Sequence, residues 1–165
     1  MKLFAKAGKF FILLSTLLGI VFMLLPFYTA EVSVLGTKTT MTVSGFAYAF
    51  GGQAKIGDNG VAVELNGAIL AIFIIGLVAA LLCVALFAKL SRNVRGMIAL
   101  FIAILTIVAG VLCFLTLSFV EGGFSVDIGQ ASAKDGLGVG AVLSGILYII
   151  AGLFGLVTTV STVKK

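Results

Sequence analysis

The chain has 165 residues, of which 61% are hydrophobic and only 10% charged, and its mean hydropathy is +1.30. A soluble domain is about half apolar and a quarter charged, and a chain of this length cannot bury such an excess in one core. This composition excludes a soluble enzyme, a disordered tail and a nucleic-acid-binding domain. Histidine is absent, which removes most metal and nucleophile chemistry, so we expect no enzymatic activity, no cofactor and no metal site.

Four apolar stretches are long enough to cross a bilayer, which takes about 20 residues. None has a charged residue in its interior, and a helix satisfies its own backbone in lipid. The apolar core of the first stretch exceeds the roughly 7–15 residues of a signal peptide, so an anchor is expected. We predict an α-helical integral membrane protein, with residues 1–165 as a single membrane domain. The four transmembrane helices form a bundle and cover about 10–28, 68–88, 97–120 and 137–163.

The distribution of charge predicts the orientation, because Lys and Arg accumulate on the cytoplasmic side. The basic residues before the first span, between the second and third, and at the end of the chain have no acidic residue among them. All six acidic residues lie in the other two loops, 29–67 and 121–136. We therefore predict a multi-pass protein of the cell membrane with both termini cytoplasmic and those two loops outside. The link between the second and third spans carries Lys89, Arg92 and Arg95.

The outer loops contain β-branched, alternating segments separated by turn residues, a pattern typical of strands. Asn59-Gly60 is the strongest hairpin signal, because both residues tolerate positive φ. An aromatic segment, 45–52, joins the two hairpins of the first loop. A small extracellular antiparallel β-sheet of four or five strands is expected. The predicted strands are 31–35, 39–43, 53–56, 61–65 and, in the second loop, 124–128.

This outline resembles the claudin and peripheral myelin protein superfamily over the whole chain, at the level of architecture. In that family the first outer loop gives four strands and the second contributes a fifth. The family's first-loop signature combines a Gly-Leu-Trp motif with two cysteines, whereas this loop has neither Trp nor Cys. Gly45-Phe46 and Phe50-Gly51 are loose counterparts. Similar outlines are also found among small bacterial membrane proteins.

The spans contain few side chains that could take part in ion transport or in a disulfide. A transporter or proton pump usually needs an ionisable residue within the membrane, and none is present, which favours a packed bundle over an ion-coupled carrier. Cys83 and Cys113 differ in predicted depth by roughly 16 Å, at about 1.5 Å of rise per residue. A disulfide needs Cα atoms within about 7 Å, so the two cysteines are not expected to pair.

Small residues recur at four-residue spacing in the second and fourth spans, which lets helix backbones approach closely in lipid. Two interpretations stay open. The face packs within the protein's own bundle, which we favour, or it docks another subunit. The residues that form it are Gly76, Ala80, Ala141, Ser144, Gly145, Ala151, Gly152 and Gly155.

These observations predict a non-enzymatic tetraspan protein that acts as a scaffold, accessory or interaction subunit. Its expected partners are membrane lipids and either another membrane protein or a second copy of itself, with no nucleic acid. The alternative is a small oligomeric channel or carrier for an apolar or lipid-like substrate. A self-protection protein against an external peptide is also compatible. The predicted contact residues of the outer loops are Phe46, Tyr48, Phe50 and Phe124.

Overall fold

The computed structural model describes residues 2–34, 37–56, 59–120 and 132–163. Four long helices alternate with short strands and two short helices. The helices are α1 (Lys2–Val21), α2 (Gly45–Phe50), α3 (Gly67–Ala85), α4 (Arg92–Phe114), α5 (Thr116–Val120) and α6 (Val139–Val163), with a 3₁₀ turn at Phe22–Leu24. The strands are β1 (Pro26–Val34), β2 (Thr37–Ser44), β3 (Gly52–Ile56), β4 (Asn59–Val63) and β5 (Ser132–Leu137).

The prediction of four membrane-spanning helices is confirmed: α1, α3, α4 and α6 are all long and apolar enough to cross a bilayer. The first span is shorter at its far end than the predicted 10–28. Helix α1 ends at Val21, and Leu25 already has extended φ and ψ of −79° and 166°. Pro26 explains this, because a proline disfavours the helical conformation of the residue before it and here begins a strand.

The third span also has different limits from the predicted 97–120. Helix α4 begins at Arg92 and ends at Phe114, and α5 follows after a break at Leu115. Hydropathy marks only the part of a helix that faces lipid, whereas Arg and Asn residues extend the helix beyond that boundary. The fourth helix begins at Val139, two residues after the predicted start, because Leu137 belongs to β5.

The five strands form one antiparallel sheet in the order β4-β3-β2-β1-β5, so both predicted outer loops contribute to it. Strand β1 lies between β2 and β5, and its Glu31 is opposite Thr40 of β2 and Lys134 of β5. The fifth strand is Ser132–Leu137, which sequence analysis missed, and the predicted strand 124–128 lies outside the described residues. The sequence of β5, Ser-Ala-Lys-Asp-Gly-Leu, has low strand propensity, so pairing with β1 decides its conformation.

The predicted turn at Asn59-Gly60 is wrong. Asn59 pairs with Ile56 and Gly60 with Lys55, so both residues belong to β4, and residues 57–58 lie outside the described residues. Gly60 has no positive φ; among the described glycines that conformation is found at Gly51. The observed register places Ala54 and Val63 on the buried face of the sheet, and a slip by one residue would turn both outward.

The sheet lies at one end of the bundle, which we call the sheet end. Strands β1–β4 connect the end of α1 to the start of α3, and β5 precedes α6. A core of Phe27, Val43, Ile69, Ile72 and other buried side chains fills the junction between sheet and helices. The opposite end, called the basic end, carries the link between α3 and α4. Large exposed apolar side chains surround the helices, as lipid contact requires.

Candidate interaction surface

The aromatic segment that joins the two hairpins is a six-residue helix, α2, instead of an irregular connection. Ser44 caps its start, since its hydroxyl accepts a hydrogen bond from the backbone N–H of Ala47 at 3.1 Å. Gly45 is needed for packing: an added Cβ would lie 2.8 Å from the Phe27 ring. Gly51 ends the helix with a φ of 72°, which favours glycine. The segment therefore has one defined conformation at the corner between sheet and bundle.

Two of the predicted contact residues, Phe46 and Phe50, lie side by side on the outward face of α2, with ring centroids 4.6 Å apart. Phe73 of α3 lies edge-on to both rings, at 5.9 Å and 5.0 Å. We call these three rings the aromatic cluster. Phe46 is 43% exposed and Phe50 is 47% exposed, although each ring already has two aromatic neighbours. The cluster thus presents an apolar surface whose geometry is held in place.

Phe73 was missed by sequence analysis. It lies roughly 9 Å along the axis of α3 from the first residue, Gly67. Asn66 sets that starting point, because its side chain accepts hydrogen bonds from the N–H groups of Ala68 and Ile69 at 3.0 Å and 3.2 Å. The aromatic cluster consequently sits where the spanning part of α3 begins.

Tyr48 does not join this exposed surface, contrary to the prediction. It lies on the opposite face of α2, is buried, and packs edge-on against Tyr28 with centroids 6.4 Å apart. Its hydroxyl has no hydrogen-bond partner within the described part of the chain. Burial raises the pKa of Tyr48, and the nearby carboxylate of Asp135 raises it further. Phe124, the fourth predicted contact residue, lies outside the described residues.

A tyrosine–carboxylate hydrogen bond fastens the fifth strand to the first. The hydroxyl of Tyr28 donates to Oδ1 of Asp135 at 2.7 Å, the short distance expected when the acceptor is charged. The backbone N–H of Gly138 then donates to the carbonyl of Phe27 at 2.8 Å as α6 begins. These contacts hold the two sheet-forming loops in one unit. Sequence carries no signal for a pair separated by 107 positions.

The predicted small-residue face packs inside the bundle. Added Cβ atoms at Gly145 and Gly155 would lie 2.8 Å from Phe114 and 2.9 Å from Ala103, both in the third span. At Gly76 the added atom would overlap the hydroxyl of Tyr148. All of the predicted members are buried by the chain's own helices, so a second subunit has no access to them. These are Gly76, Ala80, Ala141, Ser144, Gly145, Ala151, Gly152 and Gly155.

The centre of the bundle is filled by Tyr148, which sequence analysis did not single out. Its ring lies against Gly19 of α1, where an added Cβ would approach within 3.0 Å. One turn earlier on α6, the hydroxyl of Ser144 donates to the carbonyl of Gly19 at 2.8 Å. Thr16 and Thr106 are buried too, and their hydroxyls donate to carbonyls of their own helices. The hydroxyls of Ser144, Thr16 and Thr106 are thus satisfied, whereas the buried hydroxyl of Tyr148 has no hydrogen-bond partner among the described residues.

The two cysteines are both buried and free, which confirms the prediction that they do not pair. The residues used to predict orientation lie at the basic end. Arg95 donates to the carbonyl of Leu90 at 3.3 Å, and Arg92 donates to the carbonyl of Thr162 near the end of α6. Cations are favoured at the carbonyl end of a helix. Lys89 is exposed.

No family model and no curated protein matches this chain. The resemblance to claudins and peripheral myelin proteins therefore continues to rest on architecture alone.

Proposed function

We propose that this protein is a non-enzymatic tetraspan subunit that acts as a scaffold or accessory component of a membrane assembly and meets its partner at the sheet end. The observation that carries the proposal is the aromatic cluster. Two phenylalanines stay about half exposed on a short helix that is capped at one end and held by glycines at both. A fixed, exposed apolar patch marks a site of contact with protein or membrane, and the position of the cluster beside a polar sheet favours a protein partner.

The sheet offers further contact area beside the cluster. In the part of the chain that the structure describes, β4 and β5 each pair with a neighbour on one side only. An edge strand presents unpaired backbone groups to which an extended segment of a partner can add. Strand β4 pairs with β3, which begins directly after α2 and Gly51. A partner that covers the aromatic cluster would therefore reach this edge as well.

The proposed placement is the cell membrane, with both termini cytoplasmic and the sheet outside. The connectivity supports it, because Lys89, Arg92 and Arg95 lie at the end of the bundle opposite the sheet. Short basic links are retained on the cytoplasmic side. The claudin-like relationship is part of the same proposal and is supported by the five-stranded sheet built from two loops.

The alternative, a small channel or carrier, would have to form between copies of the chain. Within one copy, Tyr148 and the surrounding small residues fill the bundle centre. The small-residue face is also occupied, so it supports neither an oligomeric pore nor a docked subunit. The sheet end is the surface that favours association.

A double substitution of the aromatic cluster tests the proposal. The full chain is purified from its source membranes in mild detergent, and the membrane proteins retained with it are quantified. Phe46→Ser with Phe50→Ser should remove a stoichiometric partner while the far-ultraviolet circular dichroism is unchanged. The matched control is Phe87→Ser with Phe101→Ser, at phenylalanines that are 53% and 58% exposed elsewhere. The control should retain the partner.

Two outcomes would contradict the proposal. The first is a wild-type chain that retains lipid and no protein in stoichiometric amount. The second is a partner that survives the double substitution at α2 as well as it survives the control. A homo-oligomer that conducts ions or carries an apolar solute in vesicles would support the channel or carrier instead.

A further inference from the structure

A groove of about 490 Å³ opens between α4 and α6 at the basic end of the bundle. One part of its lining is polar and the other apolar, and all of it belongs to these two helices. Polar side chains lie toward the helix ends, and the apolar ones lie deeper in the span. The lining residues are Arg92, Asn93, Gly96, Met97, Leu100, Thr159 and Thr162.

The groove exists because the contact between α4 and α6 loosens toward this end. Midway along the pair, an added Cβ on Gly155 would lie only 2.9 Å from Ala103. Nearer the basic end, the nearest atom to an added Cβ on Gly96 is a methyl carbon of Thr162 at 3.7 Å, an ordinary contact. A side chain at Gly96 would occupy the groove, so the glycine keeps it open.

Positive charge lies at the rim of the groove. Arg92 lies at the rim and donates to the carbonyl of Thr162, which fixes the position of its guanidinium. It is also the first residue of α4, whose cap residue Ser91 makes no side-chain hydrogen bond to the helix. The free N–H groups and the helix dipole add positive potential there. Residues 65–120 contain no acidic side chain, and the partial negative charge at the carbonyl end of α6, where Arg92 is bonded, is smaller than the full charge of the guanidinium.

The apolar part of the groove faces lipid. Met97 is 71% exposed, and Leu100 lies one helical turn from Gly96 on the same side. A soluble anion would leave this part unused, whereas an apolar peptide carries no charge complementary to that of Arg92. A phospholipid matches both parts, since it carries a charged phosphate next to a hydrocarbon chain at the depth of the membrane boundary. Basic pockets between spanning helices are typical sites for anionic headgroups.

We propose that this groove binds one phospholipid with an anionic headgroup. Arg92 and Asn93 contact the phosphate, and Met97 and Leu100 line the first part of an acyl chain. The site is independent of the sheet end and of any protein partner that binds there. The proposal specifies where a lipid binds, which charge its headgroup carries and which two helices hold it.

Fluorescence offers a direct test, because the chain has no tryptophan. Met97→Trp places a single indole at the outer edge of the groove, where residue 97 is 71% exposed and the ring keeps that wall apolar. Val111→Trp places one on the lipid-facing side of the same helix, at a residue that is 47% exposed. The full chain is reconstituted in phosphatidylcholine vesicles containing phosphatidylglycerol, with bromine on the acyl chains of one lipid or the other. Quenching at Met97→Trp should show a preference for phosphatidylglycerol of about fivefold, as about 1 kcal/mol per basic residue implies. Val111→Trp should show none.

Charge variants in the Met97→Trp background separate recognition from folding. Arg92→Gln should abolish the preference, whereas Arg92→Lys should keep most of it because the charge stays. Lys89→Gln removes one charge from the same end without touching the groove, and it should leave the preference nearly unchanged. Gly96→Leu should fill the groove and lower the quenching by both brominated lipids.

Three results would overturn the proposal. One is equal quenching by the two lipids at Met97→Trp. Another is a preference that persists in Arg92→Gln, or that falls as far in Lys89→Gln as in Arg92→Gln. The last is loss of the preference when inorganic phosphate is added in millimolar amount at constant ionic strength, which would assign the groove to free anions instead of lipid.

Discussion

Replacing Gly155 by alanine tests the packing of α6 against α4 at its closest point. The new methyl group would lie 2.9 Å from Cβ and 3.2 Å from Cα of Ala103, and 3.2 Å from the carbonyl oxygen of Ala99. Carbon atoms attract best at about 3.5–4.0 Å. Two of the three neighbours are backbone atoms of α4, so they cannot move aside as a flexible side chain would. The helices must separate by several tenths of an ångström.

The magnitude follows from two opposing effects. Overpacking of a well-packed core destabilises by about 1–3 kcal/mol. Alanine in place of glycine stabilises a helix interior by about 1 kcal/mol. Gly96→Ala is the matched control, because it gives the same gain in helix propensity while its methyl group meets Thr162 at 3.7 Å. The difference between the two variants isolates packing, and we expect Gly155→Ala to be less stable than Gly96→Ala by about 1–3 kcal/mol.

Reversible unfolding in mixed micelles measures this difference, with far-ultraviolet circular dichroism followed as the mole fraction of dodecyl sulfate rises. The slope of the transition should be the same in both variants, so that midpoints convert to free energies of unfolding. Equal midpoints would refute the reasoning, because they would mean that α4 and α6 can move apart to admit the methyl group without any loss of stability. A Gly155→Ala variant more stable than Gly96→Ala would show that propensity outweighs packing at this crossing.

The remaining predictions concern the orientation and two tyrosines at the sheet end. A cysteine introduced at Asn93 should resist an impermeant thiol reagent in intact cells, and one introduced at Asn59 should react. The native cysteines are buried and should not react. The reverse pattern would invert the proposed orientation. Tyr28→Phe should lower the free energy of unfolding by about 1 kcal/mol, because it removes the hydrogen bond to exposed Asp135. Tyr48→Phe should leave that free energy unchanged or raise it, because the lost hydroxyl has no partner in the described chain. A raised pKa of Tyr48 means that the folded state holds this proton more tightly than the unfolded state, so stability should fall as pH rises above about 10 in the wild type and less steeply in Tyr48→Phe. Chemical denaturation at several pH values checks both tyrosines, and parallel pH profiles for wild type and Tyr48→Phe would contradict the assignment.

The spans were predictable because a helix that crosses lipid has to be apolar along its length, and hydropathy measures that property directly. The sheet was predictable in part for β1–β4: the predicted strands overlap all four, but β1 begins at Pro26, within the predicted first span, and β4 ends at Val63 instead of residue 65. Strand β5 was not predictable, because its sequence is strand-like only in the presence of β1. The turn before β4 was misplaced for a related reason: Asn59-Gly60 is a strong local signal, but the register that buries Ala54 and Val63 outweighs it.

The aromatic cluster shows a second limit of sequence reasoning. Phe46 and Phe50 were identified by composition, yet Phe73 joins them from a different helix. Tyr48 has the same type of side chain and lies between them in sequence, but the helical period turns it inward against Tyr28. The placement of Tyr48 on the opposite face from Phe46 and Phe50 could be inferred only if α2 were recognised as a helix. Its six residues are too few to show a helical period.

Whether a small-residue face meets its own bundle or another subunit is a question that sequence leaves open in principle. A lipid tail, a helix of the same chain and a helix of a partner are almost equally apolar, so the face has the same composition in each case. The three cases differ in the shape of the surface that packs against the small residues. Tyr148 lies where Gly19 and Gly76 leave room for its ring and hydroxyl, and such a match between three helices of one chain has no reason to arise for a partner. The bundle is therefore closed on its small-residue side, and association must use surfaces that the helices leave exposed.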